Sequence, residues 1–178
     1  MNRQVYEKEH ASIISKVLDL ELAHDKASML NFESGENVDY TAYVKLNVAE
    51  DIFIVFTLPT DSNKVFFTVT DGNPEIIAFL LSEIERTDLT KRFGMRDTVR
   101  FNHEYLIEND KVGVILLPIS VSNVLSEITE IKALSGQPYE LFLCTFISAD
   151  DYACNQNFGS DALMDKFSRE NKDLISIS

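Results

Sequence analysis

The chain has 178 residues, 45% of them hydrophobic and 25% charged, so residues 1–178 are expected to form a single globular domain with a buried core. Its net charge of −13 argues against binding to nucleic acid, because that affinity depends on Lys and Arg side chains at the phosphates. No apolar run approaches the roughly 18–20 residues that span a bilayer, which argues against a membrane protein.

The first predicted element is a helix from residue 3 to about residue 30, so the N-terminal segment 1–30 is expected to be helical. Apolar residues recur there at helical spacing, and no Gly or Pro interrupts them. The opening residues, MNRQVYEKEHAS, are polar and mixed in charge, unlike a secretory signal. Together with the content of only two Cys, this indicates a protein of the cytoplasm.

Three strands and a helix are predicted next. In VDYTAYVKLNV, which starts at residue 38, apolar and polar residues alternate as in a half-buried strand. The run DIFIVFTL is continuously apolar, which is typical of a strand covered on both faces, and KVFFTVT follows it. The segment DGNPEIIAFLLSEIERTDL then changes to helical spacing, with Asn73 as N-cap and Pro74 at the first helical position.

Segment 98–108, TVRFNHEYLIE, is predicted to be a strand because its residues alternate in character. One face would carry Val99, Phe101, His103, Tyr105 and Ile107. The other face would carry Arg100, Asn102, Glu104 and Glu108. The second face is polar and charged, so it is expected to point outward.

The remaining strands are predicted in KVGVILLPI, which ends in a strand terminus at Pro118, in the weaker candidate SEITEIKAL, and in YELFLCTFI. One or two helices follow, from Ser148 to about residue 170. Short turns join most of these strands, so the order predicts an α+β fold: a mostly antiparallel or mixed β-sheet with helices packed against it, preceded by the N-terminal helix.

The residues that could bind a metal ion do not converge in the sequence. Cys144 and Cys154 belong to no C-x-x-C pair, and Cys144 falls between Phe142 and Phe146 on one strand face, the setting of a small buried hydrophobe. The three His are scattered, and His103 is interpreted as a core imidazole with a hydrogen-bond partner. We therefore predict no metal and no cofactor.

The stretch FISADDYACNQNFG, residues 146–159, concentrates reactive residue types, but it is interpreted as architecture. Ser148 would cap a helix, Asp150 and Asp151 would occupy its first turn, where the helix dipole favours negative charge, and Gly159 would end it. The sequence also lacks a G-x-S-x-G elbow and a P-loop. No catalytic residue is therefore predicted, and the chain is not expected to be an enzyme.

Two segments carry a family resemblance, YLIENDKVGVILLPIS and YELFLCTFISADDYACNQNFGSDALMDKF. They resemble the end of the suppressor-of-fused-like domain over residues 105–167, and we assign residues 98–170 to that part of the chain. The matching motifs are an apolar-Pro strand end at 117–118, the strand 142–147, the acidic helix start 150–152 and the Gly-x-x-Ala-Leu helix at 159–163.

Small bacterial proteins of this type resemble the immunity proteins of polymorphic-toxin and contact-dependent growth-inhibition systems. That resemblance implies a monomer that binds and neutralises a cognate toxin domain, often a nuclease, in a 1:1 complex. An acidic protein is suited to block the cationic surface that a nuclease presents to nucleic acid.

The partner surface is predicted on the outward face of segment 98–108 and on the weak strand that follows it. The residues expected to contact the partner are Arg100, Asn102, Glu104, Glu108, Glu127 and Glu130. An edge strand there could also pair with a strand of the partner. The same residues also fit an ordinary solvated face.

Two other functions remain open from the sequence. An acidic secretion chaperone would have a similar size and charge, and would act as a dimer through the predicted helix at 74–89. An enzyme without a recognisable motif would need a pocket around His103 or Cys154.

Overall fold

The computed structural model describes residues 28–46, 51–119, 137–174 and 177. Seven strands lie in these ranges: β1 Ser28–Ser34, β2 Asn37–Lys45, β3 Phe53–Thr57, β4 Lys64–Thr70, β5 Thr98–Arg100, β6 Gly113–Pro118 and β7 Glu140–Ile147. Four helices lie there as well: α1 Pro74–Lys91, α2 Glu104–Glu108, α3 Ala149–Phe158 and α4 Ser160–Glu170.

The seven strands form one sheet in the order β1-β2-β3-β4-β7-β6-β5. β4 and β7 are parallel, and every other neighbouring pair is antiparallel. The parallel pair requires a long crossover, and the chain between β4 and β7 supplies α1, β5, α2 and β6. The prediction of an α+β fold with a mixed sheet and packed helices is confirmed.

Helix α1 covers one face of the sheet, here called the front face. It begins as predicted: the side chain of Asn73 accepts hydrogen bonds from the backbone N–H groups of Glu75 and Ile76 at 3.0 and 3.2 Å, with Pro74 in the first turn. Its inner side buries Ile77 and Leu81 against the sheet. Within the described ranges, no helix is long and apolar enough to cross a membrane.

The opposite face, here called the back face, carries two apolar clusters. One lies on β2, β3, β4 and β7 and includes Ile54 and Phe67. The other is formed where α4 packs Leu163 and Phe167 onto Ile115 of β6 and Ile147 of β7. The sheet is therefore covered by α1 on one face and by α3 and α4 on part of the other.

The prediction of an N-terminal helix is wrong for its last residues, 28–30. Residues 28–30 belong to β1, which pairs with β2 through a two-residue turn; residues 1–27 lie outside the described ranges. Gly35 adopts a φ of +63° in that turn, which Gly reaches without strain. Four strands precede α1 rather than three, because Leu30 and Phe32 pack against the front-face core.

The prediction that β2 is half-buried is also wrong. Ala42 faces the back of the sheet and Thr41 faces the front, and both are fully buried. Asp39 lies on the polar side of the alternation and is only 8% exposed, because Arg86 of α1 pairs with its carboxylate. Helix α1 thus covers the face of β2 that its polar residues had predicted to be exposed to solvent.

Several predictions in the C-terminal third are confirmed. β6 ends at Pro118, and Cys144 is buried in the front-face core with Phe142 and Phe146. Ser148 caps α3, and Gly159 separates α3 from α4. The weak strand predicted in SEITEIKAL lies outside the described residues.

Candidate protein-interaction surface

The prediction of a continuous strand over residues 98–108 is wrong. Three residues form β5, and the chain then turns into α2. Val99, Phe101 and Tyr105 do pack against the front-face core as the alternation indicated. The helix, however, buries Leu106 completely and leaves Ile107 59% exposed, which inverts the predicted positions of these two residues.

Local hydrogen bonds hold α2 in place. Nδ1 of His103 accepts from the backbone N–H of Tyr105 at 3.2 Å and so caps the helix. The Tyr105 hydroxyl accepts from the backbone N–H of Asn73 at 2.7 Å, and the side chain of Asn109 donates to the Tyr105 carbonyl at 2.8 Å. His103 is therefore satisfied as a helix cap rather than as a core imidazole. Burial of Leu106 in the core and these hydrogen bonds fix the short helix α2 to the rest of the fold.

The structure divides the predicted contact residues among different places. Arg100 turns to the back face, where its guanidinium carbon lies 5.5 Å from the centre of the Tyr152 ring on α3. Asn102 is exposed between β5 and α2. Glu104 and Glu108 are both exposed on α2, one helical turn apart. Glu127 and Glu130 lie outside the described residues.

Ile107 is the surface residue that sequence reasoning missed. It follows Leu106 in a short segment that fits both strand and helix spacing, and only the helix points it outward. The sequence signal that could have indicated this helix was Asn102-His103, because Asn is a preferred capping residue and an apolar run follows. The resulting surface is an exposed aliphatic side chain with exposed Glu104, Glu108 and Asp110 close to it along the chain.

β5 lies at the edge of the sheet, as the prediction of an edge strand required. Leu116 N–H donates to the Asp97 carbonyl and Phe101 N–H donates to the Val112 carbonyl, so residues 97, 99 and 101 bond toward β6. By the alternation of an antiparallel pair, the backbone groups of Thr98 and Arg100 point away from β6. No other described strand pairs with this side of β5, which is only three residues long.

A buried charge network fixes the start of α3 to the end of α4. Asp151 and Ser148 form a reciprocal capping box, and the Asp151 side chain is only 4% exposed. Its carboxylate also accepts from Lys166 at 2.6 Å and from Lys172 at 2.8 Å. Burial raises the pKa of Asp151, but the hydrogen bonds from Lys166, Lys172 and Ser148 outweigh it and hold the pKa to about 2.

A second charge network lies between α1 and the sheet. Arg86 pairs with Asp39 at 2.6 Å, and Lys64 pairs with Asp88 at 2.8 Å. Glu85 lies between them on α1 and is 6% exposed; its Oε2 has no hydrogen-bond partner in the described part of the chain. Burial raises the pKa of Glu85 well above its usual value, and the charges of the neighbouring carboxylates, Asp39 first, raise it further. These surroundings favour the protonated form of Glu85 over its charged form.

The candidate residues for enzyme chemistry do not meet. His103 lies 6.0 Å from Phe79 on the front side, whereas Cys154 packs with the apolar cluster on the back face. Burial raises the pKa of the Cys144 thiol far above its usual value, which suppresses the reactive thiolate. Among the described residues, no three His, Cys, Asp or Glu side chains are grouped so that they could hold a metal ion.

Comparison with known proteins bears on the fold. No protein-family model matches the sequence, and no curated protein shows significant similarity to it. A crystal structure described as a homologue of the suppressor of fused protein, from Neisseria gonorrhoeae, superposes with a TM-score of 0.71. The match covers 98% of this chain and 95% of that chain, at 12% sequence identity. The two chains share one fold.

The suppressor-of-fused-like fold therefore extends well beyond the segment 105–167 in which the resemblance was found. The sequence identity is only 12%, while the two backbones superpose over nearly their whole lengths. The predicted resemblance is confirmed for the fold. Within this suppressor-of-fused-like fold, β1, β2 and α1 lie upstream of the recognised motifs and supply much of the front face.

The raised pKa of Glu85 leads to a prediction about how the stability of the fold changes with pH. The unfolded chain loses this proton near the ordinary carboxyl pKa of 4.5, and the folded chain keeps it to higher pH. The stabilising contribution is therefore complete below about pH 4.5 and is lost as the pH rises toward the folded pKa. Glu85→Gln should remove this loss, so that the variant gains stability relative to wild type as the pH rises.

Chemical unfolding measured from pH 5 to pH 9 tests the prediction. Glu75→Gln is the matched control, because Glu75 is exposed on the same helix and should leave the pH slope unchanged. A pH slope that is the same in Glu85→Gln and in wild type would contradict the assignment.

Proposed function

We propose that this chain is an immunity protein, which binds a cognate cationic toxin domain and neutralises it by stoichiometric protein–protein interaction. The observation that carries the proposal is the exposed surface of α2. There Ile107 is 59% exposed, and the exposed residues Glu104 and Glu108 stand three residues before it and one residue after it on the same short helix. A large apolar side chain with a charged rim is the usual composition of an energetic centre in a protein interface.

The seating of α2 supports this reading. Affinity improves when the contact residues are held in their bound conformation before the partner arrives, because less conformational entropy is lost on binding. The hydrogen bonds of His103, Tyr105 and Asn109, together with buried Leu106, hold Ile107 in this way. The side chain is presented on a short helix rather than on a mobile loop.

The overall charge supports a basic partner. A net charge of −13 steers a cationic protein toward the chain and raises the association rate, with a strong dependence on salt. A nuclease toxin must present cationic residues to nucleic acid, so it fits this requirement. Cytoplasmic action in a 1:1 complex follows from the same proposal.

Ile107→Ser is expected to weaken binding to the toxin domain encoded beside this gene by about 30-fold, the size of an interface hot spot of about 2 kcal/mol. The folded state should be barely affected, because most of the Ile107 side chain is already in water. Titration calorimetry measures the affinity, and survival of cells that express the toxin domain measures protection.

Met95→Ser is the matched control, since Met95 is 68% exposed in the loop before β5 and lies outside the α2 surface. It should bind and protect like wild type. Failure of the wild-type chain to bind or to protect would overturn the proposed function. A constitutive dimer that captures an unfolded client segment would instead favour a secretion chaperone.

A further inference from the structure

Three rings from three different elements form a continuous aromatic strip on the front side. The rings of Phe32 on β1 and Phe79 on α1 lie 5.7 Å apart and meet edge to face. The centre of the His103 ring, at the start of α2, lies 6.0 Å from the centre of the Phe79 ring. We call Phe32, Phe79 and His103 the aromatic strip.

The centre of the aromatic strip is open to solvent. Phe79 is 37% exposed, although α1 buries its apolar side against the sheet. It occupies the outer stripe of α1 with Glu75 and Glu83, which stand four residues before and after it. An aromatic side chain on the solvent stripe contributes little to the core, so its contacts with two other rings stand out as a surface feature.

Acidic side chains surround the aromatic strip. Glu75 and Glu83 flank Phe79 along α1, and Glu104 follows His103 directly on α2. Among the described residues, Arg86 is a cation on the same helix, and its guanidinium is already shared between Asp39 and Glu83, at 2.6 and 2.5 Å. The border of the strip therefore carries an excess of negative charge.

We propose that the aromatic strip and the α2 surface form one docking site, with Phe79 at its centre, for a partner protein that presents an apolar side chain ringed by Lys and Arg. This inference rests on the proposed function and adds the location of the partner. The partner lies across α1, β1 and α2, and does not lie on the back side where Arg100 contacts Tyr152.

Charge complementarity selects this occupant. Two copies of the chain would bring like-charged glutamate borders together around Phe79, which disfavours self-association through this site. Basic side chains of a partner would pair with the same border, and a guanidinium can also stack on the faces of Phe79 and Phe32.

A second exposed aromatic residue among those described lies in a different setting. Phe158, 75% exposed, ends α3, three residues before Asp161. Asp161 is paired with Arg96, so this nearby carboxylate has a cationic partner. This contrast makes Phe158→Ala a matched control for Phe79→Ala: both are exposed helical Phe residues, and only one has a partly unpaired acidic border.

The first experiment measures the affinity of the toxin domain encoded beside this gene by titration calorimetry. Phe79→Ala should weaken binding by about 30-fold, and Phe158→Ala by less than about 3-fold. The thermal unfolding midpoint of each variant shows that both remain folded. If wild type binds and Phe79→Ala binds equally well, the docking site is wrong and the proposed function stands.

A second experiment decides the inference even when that toxin domain does not bind. Short random peptides displayed on phage are selected on the wild-type chain and then tested on Phe79→Ala and Phe158→Ala. We expect the selected peptides to combine an apolar or aromatic residue with Lys or Arg, and to lose binding to Phe79→Ala alone. Selected peptides that are acidic, or that bind Phe79→Ala fully, overturn the docking site.

Sedimentation of the purified chain tests whether a second copy of the chain occupies the docking site. A dimer that dissociates in Phe79→Ala would show that a second copy covers the strip, and would overturn the proposal of a basic partner.

Discussion

Gly113→Ala is expected to lower the free energy of unfolding by about 3 kcal/mol and to detach β5 from the sheet. A Cβ at position 113 would overlap the carbonyl oxygen of Val99 and would lie 3.0 Å from Cα of Arg100. Both obstacles are backbone atoms of β5, so no side chain can rotate away to make room. The strand itself must move.

The consequence reaches the α2 surface, because β5 leads directly into α2. Hydrogen exchange at residues 98–108 should therefore accelerate in Gly113→Ala. Gly94→Ala is the matched control, since a Cβ there would meet only the Asp97 carboxylate at an ordinary 3.7 Å. Equal stabilities of the two variants, measured by urea unfolding, would contradict the close packing of β5 on β6.

Asp151→Asn is expected to cost about 2–3 kcal/mol of stability, whereas Asp150→Asn should cost less than about 1 kcal/mol. The two residues are adjacent in α3, but Asp151 is 4% exposed and bonded to two lysines, while Asp150 is exposed. Asparagine preserves the size of the side chain and removes its charge, so Lys166 and Lys172 both lose the buried carboxylate that they share, and Lys166 keeps only Glu170 at 4.0 Å. Urea unfolding at pH 7 compares the pair.

The same carboxylate determines stability in acid. The pKa of Asp151 is about 2 in the folded chain against an ordinary value of 3.8, so its contribution is fully present above about pH 4. It is lost as the pH falls from about 4 to about 2, on the order of 2 kcal/mol in all. Asp151→Asn should lack this part of the acid transition. An acid transition identical to that of wild type would show that the lysine pairs do not stabilise the fold.

Short-range signals predicted the starts of α1 and α3. Asn73-Pro74 and Ser148-x-x-Asp151 act through hydrogen bonds that span only three residues, so their geometry is complete in the local sequence. The apolar strands β3, β6 and β7 were equally clear, because burial on both faces leaves a continuous apolar run.

Contacts between residues far apart in sequence determined the burial of β2 and the partners of Asp151, which local sequence patterns did not predict. β2 alternates like a half-buried strand, yet α1 covers its polar side, where Arg86 neutralises Asp39 across 47 residues of sequence. Asp151 was predicted in the first turn of α3, where the helix dipole favours its negative charge. Its pairs with Lys166 and Lys172, which lie 15 and 21 residues away, could not be inferred from its place in the helix.

The candidate surface depends most on tertiary structure. The sequence by itself determined the acidic character of the chain, the α+β class and the presence of charged residues near Glu104 and Glu108. The folded core determined that Leu106 turns inward and Ile107 outward, and that Phe32, Phe79 and His103 meet. The physical reason is that residues 98–108 fit both periodicities, and burial of one leucine selects the helix.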